Sequence, residues 1–210
     1  EEEVMHIPAC ETNQLELIPF APALKAANQP STNYDVKKWL YVPNVYSEYR
    51  YILGTRGAHP LICIGINPST AAPDHLDNTL KSVERIAHFN GYDSFLMFNV
   101  YAQRATDPDD MELTYNPDLH RENMEAFDYA LSLDLKGIPA VWAAWGTIIE
   151  KRNYLSDCVR DMIQIGNQHH AVWYSAGKRS KKGHPHHPLY LRKDSRLEPF
   201  DIDHYISCQP

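Results

Sequence analysis

Between residues 62 and 78 the chain reads ICIGINPSTAAPDHLDN, and its first candidates for chemistry stand at the break in that stretch. Five residues typical of a buried strand, Ile62 to Ile66, run into Asn67 and Pro68, and proline lacks the N–H that a central strand needs for its neighbour. A second apolar run ends in the same way, at Asn99 of FLMFNVYAQRATDP, with Tyr101, Gln103 and Arg104 just beyond. A side-chain amide offers one acceptor and two donors in a plane, which suits the edge of a heterocycle, so two asparagines on neighbouring strand ends can grip a base. They can equally bond backbone groups in turns, as an Asn after a strand often does. A third run, AVWAAWG, ends at Trp145 and Gly146.

The loop GKRSKKGHPHHPLYL adds Lys178, Arg179, Lys181, Lys182, His184, His186, His187 and Leu189. Pro185 and Pro188 stiffen it by fixing φ, and histidines held rigidly suit recognition. No carboxylate or cysteine stands at a familiar partner spacing, so neither a metal nor a cofactor is expected. The four cations are candidate contacts for a nucleic-acid backbone, or a solvated loop. Asp74 and Asp77 can orient a water or act as general base, while Asp77 before Asn78-Thr79 reads equally well as a helix cap. Pro68, Ser69 and Thr70 form the turn at the candidate pocket. Tyr101 or Phe98 can stack on a flat ligand, although aromatic residues beside strands usually belong to the core. Phosphate-cradling, dinucleotide-binding and serine-hydrolase templates are all missing from the chain.

The elements that must position these residues alternate in type. LICIGI, a helical TLKSVERIAHFNGY and SFLMFNV make strand, helix, strand, with Leu80, Val83, Ile86, Ala87 and Phe89 spaced to share one helix face and Gly91 as the stop. A helix NPDLHRENMEAFDYALSL, a strand AVWAAW, a helix TIIEKRNYLSDCVRDMIQIG and a strand HAVWYSA follow. Such alternation predicts an α/β fold, a three-layer α/β/α sandwich around a central, mainly parallel sheet of about four strands. In these sheets ligands bind beyond the carboxyl ends of the strands, where both asparagines lie. Upstream, KKWLYVPNVYSEYRYILGTRG alternates aromatic and polar residues as edge or antiparallel strands do. Residues 1–33 read as an N-terminal arm, and 34–210 as a single domain.

With 210 residues, 43% of them hydrophobic, the chain can bury one sizeable core. Its formal net charge of -7 means that any contact with a phosphate backbone has to be local. Cys10, Cys63, Cys158 and Cys208 are scattered without a C-x-x-C pair and read as reduced thiols of a cytoplasmic protein. No membrane partner is expected, because no apolar stretch approaches the roughly 20 residues a span requires.

These residues, in this order, resemble the uracil-DNA glycosylase superfamily. GINPST looks like its Gly-x-Asp/Asn-Pro signature, most closely that of the mismatch-specific branch, which carries Asn. FLMFNV is similar to its second strand, VWAAWG to its apolar strand ending in Trp-Gly, and HPHHPL to its His-Pro loop with a leucine wedge. Two features depart from it: Ser69-Thr70 replaces the Tyr-His or Gly-Leu of the active enzymes, and HPHHPL is one residue longer than the usual loop. The span from about Tyr49 to Leu191 also resembles a narrower family, domain of unknown function 1643, through NPSTA, RATDP, AAWG and GHPHHPLYL. The superfamily resemblance implies a DNA glycosylase-like or base-processing enzyme that reads a flipped nucleobase. Asn67 would then position a water, Asn99 would bond the base edge, His184 or His187 would stabilise the leaving base, and Leu189 would fill the vacated stack. The implied partner is nucleic acid, DNA first, or a nucleoside or nucleotide. A non-catalytic module that binds the same ligands and a hydrolase of free nucleosides are the alternatives.

Overall fold

A computed structural model describes residues 11–210 of the chain. The apolar runs pair into one seven-stranded sheet: β1 (Trp39–Val42), β2 (Ile52–Thr55), β3 (Pro60–Gly65), β4 (Ser94–Asn99), β5 (Ala140–Ala143), β6 (Val172–Ser175) and β7 (Glu198–Pro199). Their spatial order is β1-β2-β4-β3-β5-β6-β7. The middle four, β4-β3-β5-β6, are parallel. β1 and β2 extend one edge antiparallel, and β7 closes the other antiparallel to β6. The expected count of about four therefore covers only the parallel core. The two-residue β7 is too short to show as an apolar run. β2 can lie against β4 only because position 54 is glycine, since a Cβ there would come 2.0 Å from the Phe95 carbonyl oxygen.

Every residue of β3 and β4 is buried, which is why neither run alternates. Ile62, Ile64, Leu96 and Phe98 face a layer made by α1 (Phe20–Ala27), α3 (Pro117–Leu131), α4 (Leu155–Gln168) and α5 (Ile202–Ser207). Leu61, Cys63, Phe95 and Met97 face α2 (Asn78–Phe89) and Leu191 and Leu197 of the C-terminal loop. The sheet thus lies between two covering layers, with apolar packing on both faces.

Three local differences from the sequence pattern have physical causes. The expected helix from residue 147 opens as a 3-10 turn, Gly146–Lys151, and α4 starts only at Leu155. Between them Arg152 is extended, and its guanidinium donates to the carbonyls of Asp109, Met111 and Glu112. Phe89 is exposed at the last residue of α2, where the Arg196 guanidinium lies 5.2 Å from its ring. Within residues 11–33, α1 sends Phe20, Ala23 and Ala27 into the core, and the Ile18 backbone is bonded to the hydroxyls of Tyr49 and Tyr51. The remainder of the expected arm, residues 1–10, lies outside the described residues, and so does Cys10. Cys63 and Cys158 are buried, Cys208 is exposed, and none of the three is bridged. Among the described residues no helix is long and apolar enough to cross a membrane.

The two-sided core makes β4 sensitive to truncation. Phe98 is fully buried with its ring 5.1 Å from that of Phe127. Replacing it by alanine should cost about 3–5 kcal/mol, seen as a lower urea midpoint with an unchanged denaturant slope.

Candidate functional site

Backbone pairing between β3 and β4 continues past their ends. The Val100 N–H donates to the Gly65 carbonyl at 2.8 Å, Tyr101 to Ile66 at 2.9 Å, and Ala105 to Pro68 at 2.9 Å. Asn67-Pro68 therefore leaves the sheet as a loop pinned to the continuation of β4. Beside it lies a cleft of about 390 Å3, lined by Arg50, Gly65, Asn67, Ser69, Thr70, Asp77, Asn78, Thr79, Asn99 and His187 among others. Three loops, after β3, β4 and β6, bring Asn67, Asn99 and His187 to this one place.

The polar groups of the cleft are oriented by their backbone partners. Asn67 donates its Nδ2 hydrogens to the carbonyls of Ala105 at 2.7 Å and Pro68 at 3.1 Å. That fixes the amide and leaves Oδ1 as an acceptor. Asn99 is buried, and its Nδ2 has no hydrogen-bond partner among the described residues. A buried N–H without a partner costs about 1–3 kcal/mol, which a ligand acceptor would recover. The Asn99 amide fits beside position 65 because that residue is glycine: a Cβ there would stand 3.2 Å from Asn99 Oδ1 and 2.8 Å from Met97 Cε. The ring of His187 accepts the Leu189 N–H at Nδ1, 3.1 Å away, so the proton of the neutral ring sits on Nε2 and makes that atom a donor. Burial pushes the His187 pKa below the usual histidine value, His186 adds to the shift, and Asp77 opposes it.

Arg50 also lines the cleft, although its place in VYSEYRYIL gives it no distinguishing pattern. It is only 1% exposed, and among the described residues its side chain bonds the Ala71 carbonyl, from Nη1 at 3.3 Å. Burial and then the neighbouring Arg104 push its pKa down to about 9, which still leaves it cationic at neutral pH. The only sequence signal for it is a charge inside an aromatic, strand-forming run.

Other candidates have different positions. Asp77 lines the cleft, but its Oδ1 caps α2 by accepting the Leu80 N–H at 2.9 Å. Asp74 accepts from the Trp39 indole at 3.2 Å. Arg104 holds the loop from behind, donating to the carbonyls of Ser47 and Ser69, with its guanidinium 3.9 Å from the Tyr46 ring. Tyr101 is built into the core instead of facing a ligand: its hydroxyl donates to Glu112 and accepts the Asn116 N–H. Trp145 is likewise buried, with its indole N–H on the Tyr205 hydroxyl. His184, also buried, is bonded through Nδ1 to that same hydroxyl at 2.8 Å and has Glu150 3.7 Å from Nε2. It belongs to a second, more apolar cleft with Gly146, Lys178 and Leu189. Gly146 takes φ +63° and donates its N–H to the Pro185 carbonyl, tying the histidine loop to the end of β5. Leu189 is half-buried, and the side chain that projects is Tyr190, 92% exposed. Of the four cations, Lys182 pairs with Glu150 and Arg179 lies against the Phe200 ring, while Lys178 and Lys181 are exposed.

A larger groove of about 700 Å3 runs past Tyr115, Arg152, Tyr154 and the C-terminal Pro210. Its Arg152 is already bonded to backbone carbonyls, and the groove receives none of the ends of the parallel strands. Among the described residues no group of three or more His, Cys, Asp or Glu side chains is arranged to hold a metal ion.

Burial lowers the pKa of both His184 and His187. Below the ordinary histidine pKa of about 6.5 the unfolded chain therefore binds more protons than the folded one, so stability falls as the pH drops through that value. The urea midpoint should decline between about pH 7.5 and about pH 5.5, and less steeply in His187→Gln.

No curated protein and no solved structure matches the chain. The family described as Protein of unknown function (DUF1643) matches residues 50–189. That stretch is about two thirds of the chain, begins at Arg50, and contains every residue that lines the strand-end cleft. The chain belongs to the DUF1643 family.

Proposed function

We propose that the protein reads a nucleobase in the cleft beyond β3 and β4 and cleaves its N-glycosidic bond, in the manner of the uracil-DNA glycosylase superfamily that its motifs resemble. The observation that carries this reading is the meeting of Asn67, Asn99 and His187 in one cleft with their hydrogen-bonding faces already set. Asn99 offers N–H groups to carbonyl oxygens of the base, and Asn67 offers Oδ1 to a water. As the bond from C1′ to the base breaks, the electron pair passes to the base and positive charge develops on the sugar. A neutral His187 donating from Nε2 stabilises the resulting base anion. Water adds to C1′ and gives up a proton. An amide cannot take it, so it passes to Asp77, the one carboxylate among the described residues that line the cleft, while the base anion takes a proton from solvent.

A hydrolase of free nucleosides or nucleotides is the second reading. It is favoured by the net charge of -7 and by the engagement of Lys182 and Arg179 within the protein, which leaves few cations for a duplex.

The test is incubation with duplexes carrying uracil, hydroxymethyluracil or a mismatch, read as abasic sites by alkaline strand cleavage, alongside free nucleosides read as released base. Abasic product is expected, falling about 100- to 1000-fold in Asn99→Ala or His187→Ala. Base release from nucleosides alone selects the second reading. No release from any substrate, with base binding retained, reduces the cleft to a recognition module.

A further inference from the structure

The cleft wall contains a buried arginine without an ion-pair partner, and a second buried arginine stands near it. Arg50 and Arg104 are 1% and 2% exposed, and Arg104 is close enough to raise the cost of the Arg50 charge. Neither has a carboxylate within ion-pair distance among the described residues. Arg50 Nε and Arg104 Nη2 are buried without a hydrogen-bond partner. A guanidinium removed from water without a counter-charge is costly. Of the two arginines only Arg50 lines the cleft, and Asp77, the one carboxylate among the described residues that line it, is not within ion-pair distance of it.

A second feature opens onto the same wall. The cleft is lined by Asn78, Thr79 and Leu80, the first turn of the twelve-residue α2. Asp77 Oδ1 satisfies the Leu80 N–H and the Asp77 carbonyl satisfies that of Lys81, so the Asn78 and Thr79 amides are the remaining donors of the helix start. The N-terminus of a helix favours negative charge, and the flat fork of a guanidinium matches the oxygens of a phosphate.

We propose that the Arg50 end of the cleft is an anion subsite that takes a phosphate group, with Arg50 as its buried counter-charge and the Asn78 and Thr79 amides as further donors. Identifying the whole ligand as a nucleotide rests on the base-reading proposal above; the subsite itself rests on the arginines and the helix start. Arg104, behind Arg50, is a positioning residue that holds the Ser69 loop while adding to the positive potential. A phosphate and a base at opposite ends suit a cleft of about 390 Å3, within the range common for small-ligand sites.

Inorganic phosphate is the first probe, titrated into nitrogen-15-labelled protein at matched ionic strength with chloride as control, and followed through the arginine Nε–H resonances and the melting temperature. A saturable shift of a buried Nε–H and a rise in melting temperature are expected, both lost in Arg50→Gln. Uridine 5′-monophosphate should then bind about tenfold or more tightly than uridine, with the difference abolished in Arg50→Gln. A dinucleotide with one internal phosphodiester separates the two sources of phosphate: its binding in preference to the monophosphate assigns the subsite to a nucleic-acid backbone, and the reverse to a free nucleotide. If Arg50→Gln does not fold, the wild-type resonances and the comparison of monophosphate with uridine decide alone. Resonances unmoved by all three phosphates, or a shift that survives Arg50→Gln, overturn the subsite. Uridine binding without a phosphate effect removes the subsite and keeps the base reading; phosphate binding without uridine binding does the opposite.

Discussion

The backbone pairing that carries β3 and β4 beyond their ends at Gly65 and Asn99 decides where the polar groups of the cleft stand. Because the Val100, Tyr101 and Ala105 amides hold the carbonyls of Gly65, Ile66 and Pro68, the loop that starts at Asn67 is anchored at several points. The Ala105 and Pro68 carbonyls in turn fix the amide of Asn67. A proline at position 68 costs this arrangement nothing, because the N–H it lacks is not needed where the chain leaves the sheet. The same exit from β4 leads to Glu112, a buried carboxylate that accepts from the Thr12 backbone and hydroxyl and from Tyr101, and whose own N–H is taken by Gln103. The continuation of β4 is thus joined to the segment ahead of β1.

The parallel core and the two asparagines were legible because burial on both faces demands unbroken apolar runs, and a polar residue ending such a run has few explanations. The edge strands were legible only as a region, since β1 and β2 are four residues each, WLYV and ILGT, within a longer stretch of mixed aromatic and polar residues, and β7 is two residues long. Arg50 stayed hidden for a related reason. The carbonyl it bonds belongs to Ala71, twenty-one residues away, and no local pattern distinguishes a charge that goes inward from one that goes out. The histidines show the same limit. His184 and His187 stand three residues apart, yet one ring is held by Tyr205 and the other lines the cleft, and that choice is made by α5 some twenty residues later.

The electrostatic character of the site follows from which charges have lost their water. His187 is held neutral by burial, whereas Arg50 remains cationic despite it because its ordinary pKa lies so far above neutrality. The cleft consequently presents donors from a neutral ring, a guanidinium, an amide and a helix start, with Asn67 Oδ1 and Asp77 among its acceptors. A wall of that kind is complementary to groups rich in lone pairs, in a protein whose overall charge is negative.

The strands that finish the sheet lie outside the stretch shared with the family. β1 precedes residue 50, while β7 and α5 follow residue 189. A fragment trimmed to the shared stretch would bare the backbone of β2 on one side and of β6 on the other, offering two ready templates for pairing with foreign chains. It would also strip His184 and Trp145 of the Tyr205 hydroxyl they share. The flanking segments are therefore the protection that keeps this sheet from growing.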